Sequence, residues 1–360
     1  MSTLIVPCAG ESSRYPDGKP KWLYTHPNGK LIIQMSVENL IDKLKIKTII
    51  FTINKKTEKK YFATKILKKI FDKKYNLNFF ILNKQTKSAS ETIALTIKKL
   101  NVKDYFFVKD SDGFIDFYKS KKFKSCMIAG VDVKKITEPR FLGNKSFVQI
   151  NKKNHIVDIV EKEIISNIFC AGLYGFNSAS LFLKYYKRCL NLNKTLKGEI
   201  YISHVASQMI YDNEIFQLQK IDNYEDYGTY QDFLDVRKNL RTFFVDIDGV
   251  VFYNKGEYSN PSWKDKDIPI IKNLKSLLAL QNEGNKLIFC TSRKQKYLGK
   301  TIKSLKSHGF KQVQVINNLF HSERIIINDY AESNPFPSCT SINIPRNDEN
   351  LNTILENLKK

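Results

Sequence analysis

A short apolar run over residues 4–6 (Leu-Ile-Val) is followed by a loop of small and hydroxyl residues, Ala9, Gly10, Glu11, Ser12 and Ser13, and the loop closes on Arg14. Pro20-Lys21 then precede the next apolar residues. An apolar run this short, ended by small residues, reads as a buried strand. No other stretch constrains the fold as much. In an open α/β sheet such a loop lies at the strand's carboxyl end, where ligands bind. Small residues let backbone N–H groups approach a phosphate closely. Arg14 and Lys21 add fixed positive charge suited to a triphosphate and to a departing pyrophosphate. An ordinary first βα turn carrying an Arg and a Lys has the same appearance, and a short glycine motif alone does not separate the two.

The combination Ala9-Gly10-x-x-x-Arg14 followed by Pro20-Lys21 resembles the signature loop of the nucleotidyltransferases that activate sugar 1-phosphates and small alcohol phosphates. The resemblance implies a loop wrapped around nucleotide phosphates, with Arg14 touching them and Lys21 stabilising the transition state. The usual pattern has a second glycine where this chain has Ser12 or Ser13. That departure resembles the branch that uses cytidine nucleotides.

At 360 residues the chain is long enough for two cores, expected over 1–239 and 240–360. A 42% hydrophobic content suits globular domains and excludes a disordered chain. No apolar run approaches the roughly 20 residues that span a bilayer. The first residues go straight into strand pattern, without the basic-then-apolar layout of a signal peptide. Cys8, Cys126, Cys170, Cys189, Cys290 and Cys339 include no C-x-x-C pair, so reduced thiols in a cytoplasmic enzyme are expected, with neither disulfides nor zinc. The net charge of +23 raises nucleic-acid binding as an alternative. The lysines are spread along amphipathic stretches, and no aromatic-and-basic RNA motif accompanies them, so a solvated basic surface that attracts anionic substrates is the better reading.

Downstream, the pattern predicts a helix over 31–44, a strand over 47–53, a basic helix over 58–74, a strand over 78–82 and a helix running to 100. This alternation argues for a mostly parallel, doubly wound sheet. Ser88 and Glu91 fit a helix cap; by resemblance, Gln85, Ser88 and Glu91 belong to the loop that reads base and ribose. Tyr105-Phe106-Phe107-Val108 delivers Asp110 and Asp112 to the sheet's carboxyl edge, and hard carboxylate oxygens there suit Mg²⁺. An Asp-Ser-Asp-Gly turn is the plain alternative. Short β segments follow at 127–131, 147–150, 156–160 and 168–176. In the family this region covers the acceptor phosphate, which assigns Lys162 of the Glu161-Lys162 pair to acceptor binding; Glu199, where a later helix opens, is a further candidate acceptor contact. Asp226, two residues before Gly228-Thr229, matches the family's second metal-binding Asp. With Asp112 it could clamp one Mg²⁺ against the triphosphate.

At Arg241 the pattern restarts. A strand over 242–245 ends in Asp246-Ile247-Asp248-Gly249, a second over 286–290 in Thr291-Ser292-Arg293, and a third expected over 324–329 ends in Asp329. This series resembles the haloacid dehalogenase (HAD) phosphohydrolases. The resemblance implies Asp246 as nucleophile, Asp248 as general acid and base, Thr291 and Ser292 as phosphate ligands, and Mg²⁺ held by Asp246, Asp248 and Asp329. The usual third-motif Lys is missing between Lys311 and Asp329, where Arg324 or His321 stands in. The connections are too short for a full cap.

The expected fold is therefore α/β: a GT-A-like nucleotidyltransferase domain followed by a capless HAD-like domain, both doubly wound and Rossmann-like. The expected function is bifunctional and Mg²⁺-dependent in both domains. A nucleoside monophosphate, with CTP favoured as donor, passes to a phosphorylated small molecule, and a phosphomonoester is hydrolysed, for surface polysaccharide precursors. A degenerate second domain used for binding or scaffolding is the alternative. No nucleic acid and no membrane span are expected, and a homo-oligomer is allowed.

Overall fold

The computed structural model describes residues 2–71, 75–117, 125–135, 142–256, 266–329 and 339–358. The chain divides into two compact units, Met1–Leu234 and Asp235–Lys360.

In the first unit β1 (Ser2–Cys8) is followed by α1 (Ile32–Lys43), β2 (Ile46–Asn54), α2 (Lys55–Tyr61), α3 (Ala63–Ile70), β3 (Asn76–Leu82) and α4 (Ala89–Leu100). Then come β4 (Phe106–Lys109), β5 (Gly113–Asp116), β6 (Cys126–Asp132), β7 (Ser146–Ile150), β8 (His155–Glu161) and β9 (Ile168–Phe176). The unit continues with α5 (Ala179–Asn191), α6 (Ile202–Tyr211), β10 (Phe216–Lys220), β11 (Asn223–Asp226) and α7 (Tyr230–Asn239), and the division between units falls within α7.

Nine of these strands form one sheet, in the order β3-β2-β1-β4-β9-β6-β10-β8-β7. Alternation along β1 sends Leu4 and Val6 into the core on one face and Ile5 into the core on the other, and all three are fully buried. The helix α1 covers the first face through Ile33, Val37 and Leu40; α4 to α6 cover the second through Ile93, Phe182 and Val205. Helices on both faces make the unit doubly wound. The sheet is more mixed than the strand–helix alternation suggests. Parallel pairing holds for β3-β2-β1-β4 and for β6 with β10, but β9 enters antiparallel between β4 and β6.

The helix expected over 58–74 is two helices. Phe62 adopts φ 51° between α2 and α3, which breaks the ladder; residues 72–74 lie outside the described residues. The cap expected before α4 is present, with Ser88 Oγ accepting from Glu91 N at 3.2 Å.

In the second unit β12 (Thr242–Asp246), α8 (Ile271–Asn282), β13 (Lys286–Cys290), α9 (Leu298–Ser307), β14 (Gln314–Ile316) and α10 (Leu351–Asn357) build a parallel sheet, β12-β13-β14, around Val245, Phe289, Leu277 and Leu305. The strand expected over 324–329 is not formed. Those residues are exposed and carry no regular secondary structure, with Ile325 77% and Ile327 94% exposed. β-branched residues favour strands, but a strand exists only through bonds to a neighbouring strand. The third strand is instead β14. No described helix is long and apolar enough to cross a membrane. The six cysteines are unpaired, and only Cys339 is exposed.

Candidate functional site

At the carboxyl end of β1, residues 9–14 line a cavity of about 650 Å³ in the first unit. The loop is built by local bonds. Ala9 O accepts from Gln85 Nε2 at 2.9 Å and from Asn54 Nδ2 at 3.1 Å. Ser12 sits at φ 53°, in the left-handed region that glycine tolerates best, and its Oγ accepts from Lys21 N at 3.0 Å. Ser12 is thus the residue standing where a glycine would relieve strain. A Cβ on Gly10 would meet no atom within 4 Å, so the space over this loop is open.

Asp112 and Asp226 meet through a small antiparallel ladder. β5 pairs with β11, placing Asp226 opposite Gly113, and Tyr227 N donates to Asp112 O at 2.8 Å. Where a Cβ on Gly228 would stand, Asp226 Oδ1 lies 3.1 Å away and Asp112 Oδ2 3.6 Å away. The two carboxylates therefore converge on the space that this glycine leaves.

Each carries a lysine. Lys21 Nζ donates to the Asp112 carboxylate, and Lys145 Nζ donates to Asp226 and, at 2.8 Å, to Tyr224 OH. Burial opposes the Asp112 charge, but Lys21, Lys109 and Lys145 more than offset it and hold the carboxyl at about 2. Asp110 behaves oppositely. Burial pushes its carboxyl up to about 6, against the pull of Lys109 and with the help of Asp112. Lys109 is fully buried, donates to Asp110 O at 3.1 Å, and has its pKa lowered by that burial.

Among the described residues no three His, Cys, Asp or Glu side chains form a metal cluster. A pair of carboxylates beside an open cavity of this size still fits Mg²⁺, which typically takes one or two carboxylates and completes its shell with waters and substrate phosphates.

Arg14, Gln85, Ser88, Asp110 and Glu199 line the same cavity. Two expected contacts stand apart from it. Glu91 uses its carboxylate on Lys87 N at 2.6 Å, as a helix cap, and does not line the cavity. Lys162 does not line it either; its Nζ donates to Tyr201 OH at 2.5 Å, and Tyr201 does line it.

Solved structures share this fold. A nucleoside-diphosphate-sugar pyrophosphorylase from Vibrio cholerae RC9 matches with a TM-score of 0.54 at 18% identity, over 65% of this chain and 98% of that one. A UDP-glucose pyrophosphorylase in complex with UDP-glucose matches with a TM-score of 0.52 at 20% identity, over 66% and 97%. The chain therefore shares the α/β fold of these solved structures. No family model and no curated protein sequence matches it. The two structural matches leave about a third of the chain uncovered.

Within the first unit the structure adds residues to which the sequence assigns no role. Glu161 lines the cavity and accepts from the Ser146 and Ser203 hydroxyls, the latter at 2.5 Å. Lys145 and Tyr224 also line it. Two leave a signal in the sequence: Lys109, as an ionisable residue that extends an apolar strand directly before an acid, and Glu161, as the first member of the Glu161-Lys162 pair.

In the second unit Asp246, Asp248, Thr291 and Ser292 come together at the carboxyl ends of β12 and β13, where Asp246 pairs with Cys290. Burial raises the Asp246 carboxyl against the pull of Arg324, whose Nη2 donates to Asp246 Oδ1 at 3.1 Å. Asp248 is clamped. Arg293, 2% exposed, donates to it from Nη2 at 2.7 Å and from Nε at 3.1 and 3.2 Å, and Thr291 Oγ1 adds a bond at 3.1 Å. Ser292 Oγ lies 3.4 Å from His321 Nδ1. Asp329 is exposed and does not form a three-carboxylate cluster with Asp246 and Asp248. With Asp248 neutralised by the buried Arg293 fork and Asp329 apart from the other two carboxylates, this arrangement does not fit Mg²⁺.

Proposed function

We propose that the protein is a nucleotidyltransferase whose first unit transfers CMP from CTP to a phosphorylated small molecule or sugar phosphate, releasing pyrophosphate, in the making of surface polysaccharide precursors. One observation carries the reading. A small-residue loop with open space above it, two lysines and two carboxylates from four separate parts of the chain border one cavity of about 650 Å³.

In this reading the backbone of residues 9–13 and Arg14 hold the triphosphate. Lys21 faces the α-phosphate and the departing pyrophosphate, where positive charge is worth most as negative charge develops. Asp112 and Asp226 hold Mg²⁺, which when bound supplies further charge neutralisation at the phosphates. The acceptor's phosphate oxygen attacks the α-phosphorus in line, and the bond to the β-phosphate oxygen breaks. Glu161 and Glu199 face the acceptor, and Lys162 acts on it through Tyr201. The choice of CTP is supported by Ser12 in place of glycine and by the Gln85 segment.

For the second unit we propose hydrolysis of a phosphomonoester by Asp246, supported by its place at a strand end beside Thr291 and Ser292. The Arg293 clamp on Asp248 and the separate Asp329 favour a second reading, in which this unit binds a ligand without turning it over.

The test is pyrophosphate release across the four ribonucleoside triphosphates and a panel of phosphorylated acceptors, for wild type, Asp112→Asn and Asp246→Asn. Release that requires one triphosphate and Asp112 but not Asp246 supports the reading. No release with any pair sinks it. Free phosphate that disappears in Asp246→Asn establishes the hydrolase, and its absence favours the ligand-binding unit.

A further inference from the structure

Two carboxylates converge at Gly228, and each already has an ammonium group on it: Lys21 on Asp112 and Lys145 on Asp226. The two lysines differ in origin. Lys21 follows the signature loop, whereas Lys145 lies outside every motif, on the residue before β7. Its backbone is fixed, since Lys145 N donates to Leu142 O and Lys145 O accepts from Lys162 N, both at 3.0 Å. Its side chain is 20% exposed at the cavity wall and runs on a flexible stem with Nζ 5.5 Å from the centre of the Tyr224 ring.

We propose that Lys145 is a switching cation: it neutralises Asp226 while the cavity is empty and moves to a phosphate oxygen of the nucleotide when a divalent metal takes that carboxylate. This inference rests on the nucleotide reading of the cavity. The charge arithmetic leads to it. Asp112 and Asp226 already balance Lys21 and Lys145, so a dication entering alone displaces a bound ammonium and leaves Lys145 with only the neutral Tyr224 hydroxyl. A nucleotide arriving with the metal supplies oxygens that accept the displaced ammonium in charge-assisted bonds. Metal and nucleotide therefore help each other to bind, a reciprocal coupling through Lys145.

The experiment measures Mn²⁺ binding by loss of the free-ion spin-resonance signal, with the full chain alone, and then nucleotide binding by calorimetry in saturating Mn²⁺ for the four ribonucleoside triphosphates. Lys145→Gln should bind Mn²⁺ alone roughly threefold more tightly, as expected when a partly exposed ion pair is removed. The same variant should bind nucleotide about tenfold more weakly, the loss of one charge-assisted bond. Lys145→Met, which keeps an unbranched apolar stem, should do the same if Lys145→Gln folds poorly, and Lys145→Arg should resemble wild type in both arms. Mn²⁺ affinity that is unchanged or weaker in both neutral variants overturns the proposal, as does tighter Mn²⁺ binding with unchanged nucleotide affinity. Wild type that binds no triphosphate overturns the nucleotide reading, and a blank in the wild-type arm tells that failure apart from a failure of Lys145 to switch.

Discussion

Gly172 makes room for Asp110. It takes φ +71° within β9, and a Cβ there would stand 2.4 Å from Asp110 Oδ2, while its carbonyl accepts from Asp110 N at 2.8 Å. Both the positive φ and the missing side chain are needed. Gly172→Ala should therefore lower the unfolding free energy by about 1–3 kcal/mol, the range for a strained left-handed residue. Chemical denaturation measures this, and an unchanged midpoint would show that β9 shifts without cost. Pyrophosphate release should fall in the same variant, because the Asp110 carboxyl is displaced next to Asp112.

Asp110 should also leave a mark in acid. Its carboxyl is raised from 3.8 to about 6 by burial, so the folded chain keeps a proton that the unfolded chain has lost. Between about pH 4 and 6 the folded state binds more protons, and stability from this group falls as pH rises through that window. The melting temperature of wild type minus that of Asp110→Asn should decline from pH 4 to pH 6 and then level. A difference that stays flat across the window rules out the raised carboxyl.

Much of this site is legible in the sequence, for reasons that also explain the rest. Arg14 and Lys21 stand out as basic residues of the loop between the first apolar run and the next, and Asp112 as an acid just past the apolar residues 105–108. Asp226 is reached only through family resemblance. What brings it to Asp112 is the pairing of β5 with β11, two four-residue strands, Gly-Phe-Ile-Asp and Asn-Tyr-Glu-Asp, too short to show a period. Lys145 acts through Asp226, distant in sequence, so no local pattern marks it, and the Glu161-Lys162 pair marks Glu161 without revealing its bond to Ser203. The error over 324–329 runs the other way. Ile325, Ile326 and Ile327 have high strand propensity, but propensity without a hydrogen-bonding neighbour leaves them exposed.

Gly10 separates folding from binding. A Cβ at this position meets nothing within 4 Å, so Gly10→Ala should change the unfolding free energy by less than about 1 kcal/mol. If phosphates lie against this backbone, the added methyl occupies their space, and nucleotide affinity should drop about tenfold or more for the loss of one good phosphate contact. Denaturation and calorimetry on the same sample check both halves. Unaltered affinity would place the phosphates elsewhere in the cavity.

Arg293 governs the second unit. It is 2% exposed and joins Asp248, which is 10% exposed, to Asp267, which is 3% exposed, with Thr301 Oγ1 accepting from Nη1 at 3.2 Å. Removing the guanidinium leaves two desolvated carboxylates without their shared partner. Arg293→Met should therefore cost about 3–5 kcal/mol, the range for breaking a buried ion pair from one side. Arg293→Lys should fall between, since an ammonium keeps the charge but not the fork that reaches both acids. A double-mutant cycle with Asp248→Asn decides whether the clamp on Asp248 matters beyond burial. Coupling of about 1 kcal/mol or more is expected for residues in direct contact. Additive losses would mean that Arg293 serves Asp267 alone and leaves Asp248 free to act as an acid.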